Sequence, residues 1–473
     1  MKNKLLKGAF WSAFERFSVQ GISFLVQLLL ARILLPEDYG LVGMLVVFLT
    51  ISQSFIDSGF STALIQRKNA GDHDFSTVFY FNVIIGIFVY VILFFSAPAI
   101  AQFYKQPLLV DILRISGLTL VINSFSVIQR TLLTIRIDFK TQSKASFVSA
   151  VVSGMTALYL AYSGFGVWSL VANSLLSSVL NTFLLAYYSR WIPLWYFSFS
   201  RLRSLFRFGS NILISGLVYT VYNQLYVLII GRRFNAHDLG CYTRADQFYL
   251  FPSSNVCEIL KRVYFPALCQ IQDDKERLLV AYRKSLQLFS FIVFPLMMCL
   301  AALSEPLIRI VLTDKWLDVV WMLQLLCFRG MLFPLTTLNL NILNVIGRSD
   351  VFLKIQFITH LIAISAVCLL AFWANITMLI LCQIAIVYIM LFIGTHYVKK
   401  HFGYGFLALV KDIKGVYTLS ILVGAGVYYL IGFFSFPFTQ LLVGGLGYMA
   451  LFFCMSWLFN VCNIHDLKKQ YLK

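Results

Sequence analysis

The sequence has few charged residues, and it lacks Cys-x-x-Cys pairs and a P-loop. Only 12% of its 473 residues are charged, against roughly 25% in soluble globular proteins, and this excludes a soluble enzyme. The nine cysteines form no Cys-x-x-Cys pair and are odd in number, which disfavours a disulfide framework or a zinc site. No Gly-x-x-x-x-Gly-Lys-Ser/Thr loop is present, so the chain does not use a P-loop to hydrolyse ATP.

Apolar sequence is what the chain has in abundance. Hydrophobic residues make up 60% of it, and its mean hydropathy is +0.82. A hydrocarbon core of about 30 Å is crossed by about 20 apolar residues in a helix, and runs of that length recur throughout. We therefore predict an all-α polytopic membrane protein of fourteen helices, near 9–34, 40–65, 77–103, 108–136, 145–163, 166–189, 208–231, 240–266, 284–303, 317–346, 351–373, 375–398, 415–433 and 438–461.

The basic residues lie mostly on one side of this predicted bundle. If the N-terminus is cytoplasmic, 27 of the 38 Lys and Arg residues fall in inner segments. The positive-inside rule then predicts an even number of helices, with both termini in the cytoplasm. The net charge of +18 is explained by this topology, and we expect no nucleic-acid partner.

An internal repeat divides the chain. Residues 31–40 and 231–240 share Arg, Asp and Gly at equal spacing, each time after a helix of similar length. Both copies leave the membrane on the same side, which indicates a parallel duplication of six helices. We predict lobes at 1–200 and 201–400, followed by two further helices in 401–473. The alternative is a chance helix-end signal, in which Gly ends one helix and Asp caps the next.

Polar side chains line one face of several predicted helices. An ionisable group at mid-bilayer normally faces a bundle interior or a wet cavity. At about 100° per residue, the first two helices of each lobe have a clear polar face, and helices four and ten have a weaker one. The candidate residues are Arg16, Gln20, Gln27, Asp57, Arg130, Tyr219, Tyr222, Asn223, Tyr226, Tyr242, Asp246, Tyr249 and Arg329.

These residue types suit an anionic amphiphile. Arginine binds phosphate or carboxylate bidentately, and tyrosine offers an apolar face and a hydroxyl, which suits sugars as well as drugs. Two structural alternatives stay open: polar side chains that only bridge helices, and a plain ion pair between Arg16 and Asp57. No catalytic set emerges, and the longest predicted gaps are about 18 residues, so we predict that the chain is not an enzyme.

Several segments resemble one known family. These are 30–40 (LARILLPEDYG), 57–66 (DSGFSTALIQ), 242–245 (YTRA) and 262–268 (RVYFPAL). They are similar to the bacterial polysaccharide-transporter family, the Wzx-type flippases of the MOP superfamily, and most of all to the colanic-acid and teichuronic-acid exporter branch. The resemblance implies two six-helix lobes and alternating access. The two helices beyond twelve resemble the extra pair of the peptidoglycan lipid flippase.

The implied activity is flipping of an undecaprenyl-pyrophosphate-linked oligosaccharide, the repeat unit of an O-antigen, capsule or exopolysaccharide, across the bacterial inner membrane. Under this hypothesis Arg16, with Arg130 or Arg329, holds the phosphates and the tyrosines contact sugars. Asp57 and Asp246 are candidates for coupling to a Na⁺ or H⁺ gradient, and no cofactor is expected. The expected partners are the lipid-linked substrate, membrane lipids and polysaccharide polymerase machinery. The alternatives are a MATE-like exporter of a small amphiphilic drug or metabolite and a membrane enzyme of glycan assembly.

Overall fold

Helices make up nearly all of the described chain. The computed structural model describes residues 19–57, 59–67 and 70–459, and within these ranges it has no strand. The helices are α1 Val19–Ile33, α2 Pro36–Asp57, α3 Phe60–Gln66, α4 Asp72–Tyr104, α5 Leu109–Ile135, α6 Phe139–Tyr162, α7 Val167–Ser189, α8 Phe199–Arg233, α9 Ala236–Cys269, α10 Lys275–Ala302, α11 Ser304–Val311, α12 Val319–Val345, α13 Ser349–Leu370, α14 Ile376–Phe402, α15 Phe406–Ile431 and α16 Pro437–Leu458, with a 3-10 turn at Asp314–Trp316.

Ten segments of the described chain are long and apolar enough to cross a bilayer: α2 with α3, α4 to α7, α10, α12, α13, α14 and α16. Large apolar side chains on them point outward, among them Phe95 (76% exposed) and Leu446 (66% exposed). Such exposure suits a surface solvated by lipid tails, because lipid is as apolar as the side chains. The predicted all-α multi-pass membrane protein is confirmed, whereas the count of fourteen spans stays a prediction.

The chain divides into two compact units, Met1–Gly240 and Cys241–Lys473. The predicted division at residues 200 and 400 stays a proposal.

Unit 1 is held together by helix pairs. Its main contacts are α4 with α5, α6 with α7, α5 with α7, and α2 with α8. Gly86 lets α4 approach α5 closely, since a Cβ there would lie 2.9 Å from the Cβ of Ser124. Phe60, Phe79 and Ile128 belong to a buried apolar cluster beside this contact. The close packing of α2, α3 and α5 brings the polar faces of α2 and α5 together.

The beginning of α8 is fixed to the beginning of α4. Asp74, only 1% exposed, accepts a hydrogen bond of 3.0 Å from Nη1 of Arg201. The backbone N–H of Leu194 donates to Oγ of Ser76 at 2.9 Å. Because a buried carboxylate is stable only when it is paired and hydrogen-bonded, this contact anchors the loop between α7 and α8.

Unit 2 is built around α12, which packs against α10 and α14, while α15 packs on α10 and α16 on α15. Arg283 of α10 binds both carboxylate oxygens of Asp412 of α15 at 2.8 Å. The hydroxyl of Tyr404 donates to the same carboxylate at 2.9 Å, and burial raises the pKa of Tyr404, which keeps that proton in place. The predicted extra helix pair is therefore an integral part of unit 2.

The two copies of the predicted repeat meet within unit 1. An added Cβ at Gly40 would overlap the carbonyl oxygen of Ala236, and one at Gly240 would overlap that of Pro36. Each glycine thus contacts the residue four positions before the other glycine. A reciprocal contact of this kind is what a twofold relation produces, so it is consistent with a duplication, and the parallel orientation of the repeat stays a prediction.

Two local features differ from the predicted helices. The second predicted helix, 40–65, is interrupted at Gly59, which has a φ of 68° and separates α2 from α3. The segment predicted as a loop between 303 and 317 contains the short helix α11 and the turn at Asp314–Trp316. Its length is well below that of a span, so hydropathy over a membrane-length window does not detect it.

Candidate functional site

Unit 1 contains a polar cavity of about 340 Å³ between α2, α3 and α5. The α2 and α3 side carries Gln53, Asp57, Ser61 and Ile65, and the α5 side carries Asn123, Ser126, Val127, Arg130, Thr131 and Thr134. The stripes predicted on helices two and four thus face each other across one space. The sequence analysis did not predict that these two faces meet, and the role of the residues stays a proposal.

An amide relay organises one wall of this cavity. Nδ2 of Asn123 donates to Oε1 of Gln53 at 3.4 Å, and Nε2 of Gln53 donates to Oδ1 of Asp57 at 3.1 Å. The relay crosses from α5 to α2 and orients the Asp57 carboxylate. Arg130 shares the cavity and is exposed, and it forms no ion pair with any described residue. Its guanidinium donors are therefore accessible to an anion.

Gln142 of α6 supports the end of α5 that carries Arg130. Its Nε2 donates to the backbone carbonyl of Arg130 at 3.3 Å and to Oγ1 of Thr134 at 3.0 Å. Gln142 is itself buried. Gln142 therefore bonds the backbone of Arg130 and not its guanidinium group, which lines the cavity.

Unit 2 contains a second charged cluster, centred on Arg329 of α12. Its Nη1 lies 3.5 Å from Oδ1 of Asp246 of α9 and donates to Oε1 of Gln383 of α14 at 2.9 Å. The amide of Gln383 in turn donates to the hydroxyl oxygen of Tyr242 at 2.6 Å. The guanidinium carbon of Arg329 lies 5.7 Å from the centre of the Tyr249 ring, within cation–π range.

The two arginines differ in depth and in pairing. Arg329 lies ten residues into α12, about 15 Å along a helix that rises 1.5 Å per residue, which is near the middle of a 30 Å hydrocarbon core. Arg130 lies five residues before the end of α5, at the end predicted to be cytoplasmic. Arg329 forms an ion pair within its own unit, whereas Arg130 shares its cavity with Asp57 and forms no ion pair with a described residue.

The remaining predicted site residues lie elsewhere. Arg16 is outside the described residues. Gln20 and Gln27 are half-buried on α1. On α8, Tyr219 is 55% exposed and Tyr226 is 5% exposed, with Tyr222 half-buried and Asn223 exposed. None of these six described residues lines the cavity of unit 1 or belongs to the Arg329 cluster.

Some polar residues only join helices, as the structural alternative predicts. Oγ of Ser54 lies 3.2 Å from Oγ1 of Thr220, which links α2 to α8. Buried Ser253 donates to the carbonyl of Gly330 at 2.8 Å and links α9 to α12. Interhelical bonds of this kind contribute about 1 kcal/mol or less each.

Sequence reasoning missed three glutamines. Gln53 and Gln383 each connect a charged residue to a neighbouring helix, and Gln142 holds the backbone of Arg130. Gln383 is a lone amide in the apolar run 376–394, and that isolation is the signal that could have identified it. In the described part of the chain, no three His, Cys, Asp or Glu side chains lie close enough to hold a metal ion.

Comparisons with known proteins address the fold and the family. A family model described as "Polysaccharide biosynthesis protein" matches residues 29–321. The lipopolysaccharide biosynthesis protein WzxC of Escherichia coli (strain K12) is 27% identical over 78% of this chain and 75% of its own length.

Solved structures with the same fold are transporters. Lipid II flippase MurJ, in an inward closed conformation, has a TM-score of 0.76 at 15% identity and covers 96% of this chain and 98% of its own. An inward-facing multidrug resistance MATE family transporter of the MOP superfamily has a TM-score of 0.60 at 15% identity. The match covers 82% of this chain and 98% of the transporter. At such identity the likeness shows the fold alone, and it confirms the predicted MOP fold.

Proposed function

Because the chain belongs to the polysaccharide biosynthesis protein family, we propose that it is a flippase that moves a lipid-linked oligosaccharide across the bacterial inner membrane. The observation that carries the proposal is the cavity of unit 1, where Arg130 is available beside the amides of Gln53 and Asn123. Arginine binds phosphate bidentately, and amides donate to and accept from sugar hydroxyls. The cavity therefore suits a sugar joined to lipid through a diphosphate.

The physical need for such a protein is clear. A diphosphate and its sugars cannot leave water for about 30 Å of hydrocarbon without losing their hydrogen bonds. We propose that this head passes through polar space in the protein while the undecaprenyl chain stays in the lipid. With a volume of about 340 Å³, at the small end of ligand pockets, the unit 1 cavity accommodates the linkage end of the head and not a whole repeat unit.

Each charged site has its own proposed role. Arg130, with Arg16, holds the diphosphate as it enters from the cytoplasmic side. We propose that Tyr219, Tyr222 and Asn223, whose side chains are exposed or half-buried, contact the sugars. Tyr242 and Tyr249, 3% and 2% exposed, act in this proposal by holding the Arg329 cluster together.

The carboxylates are our candidates for energy coupling. Asp57 shares the unit 1 cavity with Arg130, and Asp246 is paired with Arg329. Carboxylates inside membranes commonly serve ion and proton relays. We propose coupling to a Na⁺ or H⁺ gradient through one of them, with both termini in the cytoplasm and polysaccharide polymerase machinery as a partner. Transport makes and breaks no bond, so the proposed function is not enzymatic.

Export of a small amphiphilic drug or metabolite is the second candidate, favoured by the likeness to the MATE transporter. The family match and the relative with a polysaccharide name favour the lipid-linked sugar. Deletion of the gene separates the two candidates. The flippase proposal predicts loss of surface polysaccharide with accumulation of lipid-linked repeat units, and drug export predicts only greater drug sensitivity.

The residue-level test substitutes Arg130 in that deletion strain. We expect Arg130→Ala to reach the membrane in normal amounts and to lose most surface polysaccharide, because the cavity loses its anion-binding group. Arg130→Lys should restore part of the output, since lysine keeps the charge but not the bidentate geometry. The matched control is Lys144→Ala, an exposed basic residue of α6 outside the cavity, and it should behave as wild type. Normal polysaccharide from Arg130→Ala would contradict the proposal.

A further inference from the structure

Unit 2 contains another cavity, where α14 ends and α15 begins. Its volume is about 580 Å³, and it lies at the end of the unit that the sequence predicts to be cytoplasmic. Its lining combines apolar and basic side chains with two glycines: Phe392, His396, Lys399, Gly403, Gly405, Phe406, Leu407 and Ala408. It shares no residue with the unit 1 cavity or with the Arg329 cluster.

One wall of this cavity is apolar and open to the surroundings. Phe392 is 55% exposed and Leu407 is 84% exposed, and the rings of Phe392 and Phe406 pack edge to face with centres 5.4 Å apart. An exposed surface of this kind on a membrane-spanning unit is solvated by lipid chains. The wall therefore extends from the lipid to the cavity.

The other wall is basic. His396 and Lys399 are three positions apart in the sequence, so they lie on one face of α14, and both line the cavity. The aliphatic stem of Lys399 crosses the backbone of Gly405, because a Cβ on that glycine would lie 2.9 Å from Cδ of Lys399. The glycine thus lets the lysine stem lie close to α15 with its ammonium group at the cavity.

The positive charge at this place is not cancelled locally. Between residues 392 and 414 the chain has four lysines and one acidic residue, Asp412. Asp412 already binds Arg283 and Tyr404. Lys399 forms no ion pair with any described residue. The cavity is therefore a cationic site beside an apolar surface.

We propose that this cavity binds the phosphate headgroup of an anionic membrane phospholipid. The phosphate lies between His396 and Lys399, and the acyl chains follow Phe392 and Leu407 into the bilayer. The amide N–H groups of the first turn of α15 add donors at the same place, since its N-cap is Gly405, which has no side chain to satisfy them. Basic pockets on the cytoplasmic side are known to take anionic headgroups.

The lining distinguishes a phospholipid from the transported cargo. It contains no carboxylate, side-chain amide or hydroxyl, so it offers few groups to recognise sugars. It offers a cation for one phosphate and an apolar path for lipid chains. These features match an ordinary anionic phospholipid more closely than an oligosaccharide carrier.

Native mass spectrometry of the purified full-length protein tests the proposal. Phosphatidylglycerol and phosphatidylcholine with identical acyl chains are titrated against wild type and Lys399→Gln. We expect preferential binding of phosphatidylglycerol, weakened about five-fold in the variant, because a basic residue near an anionic surface contributes about 1 kcal/mol. Gly405→Ala keeps every charge but displaces the Lys399 stem, and it should weaken binding in the same direction.

The control is Lys354→Gln, an exposed lysine of α13 outside this cavity, and it should bind like wild type. Equal binding by Lys399→Gln and wild type would overturn the proposal. Displacement of the lipid by millimolar inorganic phosphate would also do so, since it would indicate an ion site without a lipid component. Tighter, Lys399-dependent binding of undecaprenyl diphosphate would assign the cavity to cargo instead. No arm of the experiment needs transport, so its result is independent of the flippase proposal.

Discussion

Substitution of Arg329 tests whether the charged cluster of unit 2 stabilises the fold. Arg329→Gln removes the ion pair with Asp246 at 3.5 Å and leaves that carboxylate without its cation. Removing one partner of a fully buried pair costs about 3–5 kcal/mol. Here the side chains of Arg329 and Asp246 are 23% and 33% exposed, so solvent recovers part of the loss. We therefore expect Arg329→Gln to lower the free energy of unfolding by about 2 kcal/mol.

Thermal unfolding of the purified protein measures this cost. For a unit of this size, each kcal/mol lowers Tm by about 2–4 °C, so Arg329→Gln should lower Tm by about 4–8 °C. Arg348→Gln is the matched control, because Arg348 pairs with Asp350 at 3.0 Å with both side chains largely exposed. Exposed pairs contribute about 0–1 kcal/mol, and this variant should change Tm little.

A double-mutant cycle separates pairing from other effects. Asp246→Asn alone leaves an uncompensated cation in the unit, and combined with Arg329→Gln it removes both charges. We expect the double variant to be more stable than the sum of the single changes predicts, by about 1 kcal/mol. Strictly additive changes would refute the reasoning, because they would mean that the two charges do not interact. If Arg329 and Asp246 are also needed for transport, the double variant should regain stability but still produce little surface polysaccharide.

Three further predictions concern other parts of the chain. Gly40→Ala should lower the yield of folded membrane protein because its Cβ would overlap a backbone carbonyl; Gly216→Ala on α8 meets nothing within 4 Å and serves as its control in a thermal unfolding assay. Asp412→Asn breaks the bidentate contact with Arg283 and should lower Tm by a few degrees, with lipid-linked transport less affected than stability. Arg16→Ala should leave the protein in the membrane and abolish surface polysaccharide, and normal glycan output from it would contradict the role proposed for that residue.

Much of the fold was predictable because a bilayer imposes simple requirements. Every backbone group must be satisfied within the membrane, so long apolar runs become helices, and hydropathy locates them well. The interruption at Gly59 was harder to predict. A single glycine in a helical pattern is usually tolerated, and only the observed φ of 68° shows that the chain breaks there.

The candidate site was predictable in part. Helical periodicity placed Asp57 and Arg130 on polar faces, and the packing of α2 on α5 brings those faces together. It could not predict which polar face meets which, because that depends on helix crossing and not on the pattern of one helix. Gln383 is a residue that helical periodicity could not identify. It bridges Arg329 and Tyr242, but it is the only amide in its apolar run, and an isolated polar residue does not form a polar face.

A comparison of Arg130 with Arg329 indicates which of the two is the better candidate for binding an anion. An arginine that is already paired, as Arg329 is with Asp246 and Gln383, must exchange these partners before it can bind an anion, and the cost of that exchange subtracts from affinity. Arg130 has no such partner among the described residues, and Gln142 holds only its backbone. A charge placed near the end of a helix also reaches water more easily than one at mid-bilayer. Substitution of Arg130 should therefore impair binding with little change in stability, while substitution of Arg329 should first reduce stability.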